Sequence, residues 1–193
     1  MNTKHLPRRD PTPEIKAHFA SLPWCVALFE DPTLLPYTNA TFSSATGTFN
    51  SFIGKTLATN DTIIFSQPFL KPPKPESGQY PEVLACLSLG SGVNGHHDTC
   101  HGGFVSVLLD EACGNAVLWE TPDDKATMTA YLRVDYKKPV RTPGKILCRA
   151  SVERKEGKKV WVKGSLEDGT GTVYATAETL FIATEQIKPL ERL

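Results

Sequence analysis

The sequence has no excess of charge: 21 basic residues balance 21 acidic ones. No long block of like charge breaks that balance, so the chain lacks the electrostatic footprint of broad nucleic-acid binding. It also lacks an apolar run that suits a bilayer span, which takes about 20 residues. The stretch from Phe104 to Trp119 comes nearest, and Asp110 and Glu111 interrupt it. Cysteine is scarce. Cys25, Cys86, Cys100, Cys113 and Cys148 are odd in number and widely spaced. They form no CxxC zinc pair and no secreted disulfide framework. Buried thiols in a reducing, cytoplasmic compartment are the expectation. No hydrophobic signal core follows the start. Asp10 and Glu14 weigh against a targeting segment around Arg8-Arg9, which leaves a mitochondrial location as the alternative.

What is there divides into two parts. The 193 residues allow one domain and an extension, and that length buries a real core. Residues 1–57 read as the extension, interrupted by Pro7, Pro11, Pro13, Pro23, Pro32 and Pro36. Thr12 and Pro13 predict a helix start, as cap and first helical residue. Ile15, Phe19 and Leu22 give that helix one apolar stripe, made to pack on the main domain or a partner subunit. A second short helix is predicted around Trp24–Glu30. Residues 41–57 carry no clear pattern.

The main domain, residues 58–188, reads as strand, strand, helix and four strands. Residues 61–70 make the first strand. Val83–Leu89 alternates with period two. After a glycine-rich loop, Val105, Leu108, Leu109, Ala112 and Ala116 fall on one helical face, and Phe104, Val107 and Leu118 make other faces apolar. Such a helix belongs inside a domain. Strands follow at 127–138, 145–154, 159–166 and 172–183, with Glu156-Gly157 and Asp168-Gly169 as tight turns. One helix wrapped by a curved antiparallel sheet is an α+β arrangement.

Within this frame sit His101-Gly102-Gly103, six further residues and then Asp110. Gly90-x-Gly92 precedes them, and Asp135-Tyr136-Lys137-Lys138-Pro139-Val140 follows the helix. In this order and spacing the residues resemble the hotdog-fold acyl-CoA thioesterases of the phenylacetate-pathway type. The resemblance covers about residues 58–185. It implies hydrolysis of an acyl-CoA thioester to a free acid and CoA, by a homodimer or a dimer of dimers that needs no cofactor or metal.

The resemblance implies that Asp110 is the catalytic carboxylate, acting as nucleophile or general base. It implies that the Gly102 N–H polarises the thioester carbonyl, at a helix N-terminus whose donors and dipole suit an oxyanion. In this family the two groups face each other across the dimer interface. His101 orients the loop or the thioester. Thr129 helps to position water, with Thr127 as the fallback. Asn94, Gly103 and Ser106 line the substrate site, where Ser106 and Gly114 are small enough to leave Asp110 an open cleft. Lys137, Lys138 and Arg141 are candidates for CoA phosphates. Glu111 points about 100° from Asp110 and takes a lesser role.

Two other constellations are weaker. His96, His97, Asp98, Cys100 and His101 are metal-ligand types, but they are too crowded for a closed tetrahedral site. Cys100 beside His101 is poorly placed for a nucleophile and base pair. The competing functions are a non-catalytic acyl-CoA-binding hotdog protein and, lower in rank, an enoyl-CoA hydratase-type hotdog enzyme.

Overall fold

Strand β3 (Glu82–Leu89) shows how alternation sets the layers. Its side chains point to opposite faces in turn, and both faces are apolar. Val83, Leu87 and Leu89 enter the main core beneath the long helix α3 (Gly102–Leu118). Leu84 and Cys86 enter a second cluster on the other face, with Phe19 and Cys25. Those two come from α1 (Pro13–Phe19) and α2 (Pro23–Glu30). The sheet is therefore covered on both sides.

These assignments come from a computed structural model, which describes residues 9–38, 50–122 and 124–185. Arg8, Phe42, Phe49 and residues 186–188 lie outside them. Thr12 caps α1 through its hydroxyl, which accepts from the Ile15 N–H at 3.3 Å. Ile15 and Leu22 pack on the second cluster beside buried Phe19, so the apolar stripe of the extension faces the sheet. His18 meets Ser88 at 2.8 Å, and the Lys145 ammonium donates to the His18 carbonyl. Within residues 41–57, Phe52–Leu57 forms a π-helical turn.

Among the described residues the main sheet has seven antiparallel strands. The extension supplies the first, β1 (Leu35–Pro36), which pairs with β2 (Ile63–Lys71). A separate two-stranded ribbon, β4 (Asn94–His96) with β5 (Thr99–Cys100), lies in the loop before α3. The remaining strands are β6 (Lys125–Tyr136), β7 (Gly144–Glu156), β8 (Lys159–Glu167) and β9 (Val173–Glu185). Their order is β1-β2-β3-β7-β8-β9-β6.

That order revises the picture of four strands joined mainly by tight turns. The β7–β8 and β8–β9 pairs are local, but β6 pairs with β9 and not with its successor β7. Strand β6 thus becomes a long edge, with one side unpaired among the described residues. Met128, Tyr131 and Tyr136 on it are each about half exposed, at 49%, 46% and 56%.

Helix α3 packs across strands β3, β7, β8, β9 and β6 of the sheet. Leu108, Leu109, Ala112, Cys113, Ala116 and Val117 are buried. Close approach to β8 depends on Gly164, because a Cβ there would stand 2.9 Å from Cys113 Sγ. The helix is not buried all round, as its apolar composition predicts. Ser106, Val107, Asp110, Glu111 and Gly114 are half-buried, and Gly102, Gly103 and Leu118 are exposed. In a single chain, one face of α3 remains open.

Candidate active site

The site begins at the end of α3 that follows the β4–β5 ribbon. The first N–H groups of a helix have no partner within it. His101 is the cap residue, in extended conformation, and its Nδ1 accepts from the Gly103 N–H at 3.0 Å. A ring nitrogen that accepts carries no proton, so the neutral ring holds its proton on Nε2. The His101 carbonyl accepts from Phe104 at 2.9 Å and Val105 at 3.1 Å. Gly103 is therefore committed to the cap. The Gly102 N–H has no hydrogen-bond partner among the described residues.

Asp110 lies two turns further along. Thr129 on β6 reaches it, and its hydroxyl donates to Asp110 Oδ1 at 3.0 Å. Burial pushes the Asp110 carboxyl above its usual range, while the Thr129 hydrogen bond pulls the other way. The structure thus brings Thr129, expected from the resemblance to help position water, against the Asp110 carboxylate. Glu111 turns instead toward β2 and β3, where it lines a cavity with Val83 and Leu87.

Ser106 does more than leave room. Its Oγ is 2.6 Å from the Tyr136 hydroxyl. The Tyr136 hydroxyl donates to the Gly102 carbonyl at 2.9 Å, and the direct Ser106–Gly102 contact is longer, at 3.3 Å. The short pair and the better donor make a chain, Ser106 to Tyr136 to Gly102. Tyr136 thus ties the end of β6 to the first turn of α3. Sequence reasoning left Tyr136 without a role. The one available signal was its place in the Asp135–Val140 motif, directly before the two lysines.

Lys137 and Lys138 follow at the strand end, their N–H groups donating to the Tyr174 carbonyl at 2.8 and 3.0 Å. With Gly102, Val105, Tyr136 and Tyr174 they line an open cleft of about 320 Å3. Gly102 and the two lysines therefore share one cleft. Arg141 does not line it; its guanidinium donates to Thr99 Oγ1 at 3.3 Å. Asn94 sits at the start of β4, where its Oδ1 accepts from the Thr142 hydroxyl. Thr127 is on the same strand as Thr129 and pairs with Ala183. Among the described residues no three His, Cys, Asp or Glu side chains gather as for a metal ion. No helix among them is long and apolar enough to cross a membrane.

Asp110 and Gly102 do not meet within one chain. Eight residues at a rise of 1.5 Å separate them by about 12 Å along α3.

Comparison with known proteins finds similarity to thioesterases. Residues 97–175, from the β4–β5 loop into β9, match the family described as the thioesterase superfamily. The chain is 30% identical over 91 residues to acyl-coenzyme A thioesterase THEM4 of Mus musculus, covering 47% of this chain and 38% of that protein. It is 28% identical over 109 residues to its Rattus norvegicus counterpart, covering 55% and 46% respectively. The chain thus spans less than half the length of these curated relatives. Among solved structures, a phenylacetic acid degradation-related protein from Ralstonia eutropha superposes with a TM-score of 0.55. That match has 19% identity and covers 74% of this chain and 95% of the other. A thioesterase family protein from Silicibacter pomeroyi gives 0.54 at 20% identity, covering 71% and 95%. At such identities these two likenesses bear on the fold alone. The chain thus shares its fold with these two structures, and residues 97–175 are similar to the thioesterase superfamily.

Proposed function

We propose that this protein hydrolyses an acyl-CoA thioester to the free acid and CoA, in sites that two copies of the chain build together. The observation that carries the reading is the hydrogen bond from Thr129 to a half-buried Asp110. A carboxylate raised by burial is a better base than an ordinary aspartate. The hydroxyl beside it favours the ionised form and orients it.

Hydrolysis makes one C–O bond and breaks the C–S bond. Oxygen attacks the carbonyl carbon, either from water deprotonated by Asp110 or from Asp110 itself by way of an anhydride that water then opens. Charge builds on the carbonyl oxygen, where the Gly102 N–H and the α3 dipole stabilise it. CoA thiolate departs and takes up a proton. Lys137 and Lys138, in the cleft beside Gly102, hold the anionic CoA portion.

The separation of about 12 Å along α3 prevents one chain from supplying both groups to one carbonyl. A second copy removes that conflict, with Asp110 of one facing Gly102 of the other. The open face of α3 and the unpaired β6 edge support a symmetric pairing there. The test is hydrolysis of an acyl-CoA panel by the full chain and by Asp110→Asn. Turnover in the wild type and its near loss in a folded Asp110→Asn are expected. Saturable binding without turnover favours the acyl-CoA-binding reading instead.

A further inference from the structure

In the reaction proposed above the thioester oxygen meets the Gly102 N–H, at the first of two consecutive glycines. Gly102 and Gly103 have no Cβ, so their own sterics leave the backbone freer than any other residue would. The Gly102 N–H keeps its direction only if the peptide planes on both sides of Gly102 are held. The plane before it is held at its carbonyl, where His101 accepts from Phe104 at 2.9 Å and Val105 at 3.1 Å. The plane after it is held at both edges. Its N–H, from Gly103, donates to His101 Nδ1 at 3.0 Å. Its carbonyl, from Gly102, accepts from the Tyr136 hydroxyl at 2.9 Å. Among the described residues, Tyr136 is the one hydrogen-bond partner of this plane from outside α3 and its cap.

Tyr136 is well set for that task. It ends β6, and its hydroxyl has two partners, both on the first turn of α3: the Gly102 carbonyl and, at 2.6 Å, Ser106 Oγ. The residue is 56% exposed and lines the open cleft beside Gly102. A side chain so exposed is held weakly by packing, so the two hydrogen bonds orient it. A Cβ built at Gly102 would stand 3.6 to 3.8 Å from the ring and its hydroxyl, so the ring is close without crowding the turn. The same strand sends Thr129 to Asp110. One edge strand thus steadies both groups that α3 offers to the reaction.

We infer that Tyr136 is a positioning residue for thioester polarisation: its hydroxyl fixes the Gly102–Gly103 peptide and so keeps the Gly102 N–H aimed at the substrate oxygen. A donor held in place beforehand stabilises the developing charge without reorganising during the reaction. The inference rests on the acyl-CoA reading above and deepens it. Tyr136 acts through Gly102 and not through Asp110, which separates its signature from that of Thr129.

The experiment compares wild type with Tyr136→Phe, which keeps the ring and removes the hydroxyl, on one acyl-CoA. The kcat is expected to fall about three- to tenfold, the worth of one net hydrogen bond. KM and melting temperature should stay close to wild type, because the ring remains in the cleft. The acid limb of the pH–rate profile should stay in place, since Asp110 keeps its Thr129 partner. A purely structural role would lower the melting temperature and leave the kcat of the folded protein unchanged. An unchanged kcat, or an acid limb that moves, overturns the proposal. A second readout needs no turnover. It is the ratio of dissociation constants for two analogues in which a methylene replaces the thioester sulfur, one keeping the carbonyl as a ketone and the other with a methylene there too. Wild type should favour the ketone, and Tyr136→Phe should bring the ratio toward one. Absence of turnover together with that change refutes hydrolysis and leaves the positioning role standing. A ratio that Tyr136→Phe leaves unchanged overturns the proposal, with or without turnover.

Discussion

Replacing Thr129 with valine removes one hydroxyl and keeps the β-branched shape that suits β6. The lost contact is a donor at 3.0 Å to Asp110 Oδ1. Hydrogen bonds to charged groups are worth about 1.5–3 kcal/mol. Asp110 is only half-buried, so solvent screening places the loss near the lower end, about 1.5 kcal/mol. Two consequences follow from that figure. The ionised carboxylate loses a stabilising partner, so its pKa rises further. Orientation is lost as well, and kcat/KM at neutral pH should fall roughly tenfold. The assay is a pH–rate profile on a single acyl-CoA substrate. In the wild type the acid limb should already lie above that of an ordinary aspartate, because burial raises Asp110. In Thr129→Val it should move up again. A profile of unchanged shape, with rate lost only as a uniform factor, refutes the claim that Thr129 acts through the Asp110 carboxylate.

Three further outcomes are expected. Asp110→Asn should raise stability at neutral pH. A carboxyl whose folded pKa is raised destabilises the fold above that pKa and has no such effect below its unfolded value. The melting-temperature advantage of Asp110→Asn should therefore shrink as pH falls through the raised pKa. Gly102→Val should fold normally and lose activity, since a Cβ there meets Tyr136 only at ordinary contact distances of 3.6 Å and beyond; a large drop in melting temperature contradicts this. Lys137→Gln with Lys138→Gln should raise KM more than it lowers kcat. The pair should also flatten the dependence of KM on salt, because charge screening acts on exposed groups. Unchanged KM and salt response remove the lysines from CoA binding.

Local chemistry was legible in the sequence. Thr12-Pro13 marked a helix start because cap and first-turn preferences act within three residues. Period-two alternation in Val83–Leu89 showed two apolar faces, and the helices α1 and α2 explain the second. Asp110 and Thr129 were named from the family resemblance, and the fold brings them into contact. Non-local features were hidden. Nothing near β6 tells that it pairs with β9 and leaves an edge. The β4–β5 ribbon lay inside a loop whose glycines and histidines carry no alternation. Tyr136 reaches Gly102 across 34 positions, a contact that only the tertiary structure creates. Tyr37 looked like one residue of a proline-broken extension until the fold set it against Trp119.

The central claim is that each site takes Asp110 from one copy and Gly102 from the other. Mixing Asp110→Asn chains with Gly102→Val chains tests it directly. Asp110→Asn removes the carboxylate from every site, and Gly102→Val keeps the backbone N–H but sets a side chain in the way of the thioester oxygen. After exchange, half the dimers pair one chain of each kind, and one of the two sites in each such dimer keeps both groups. The account predicts recovery to about a quarter of wild-type activity on mixing, as follows from two-fold symmetry. No recovery, with subunit exchange verified, would contradict it and return the site to a single chain.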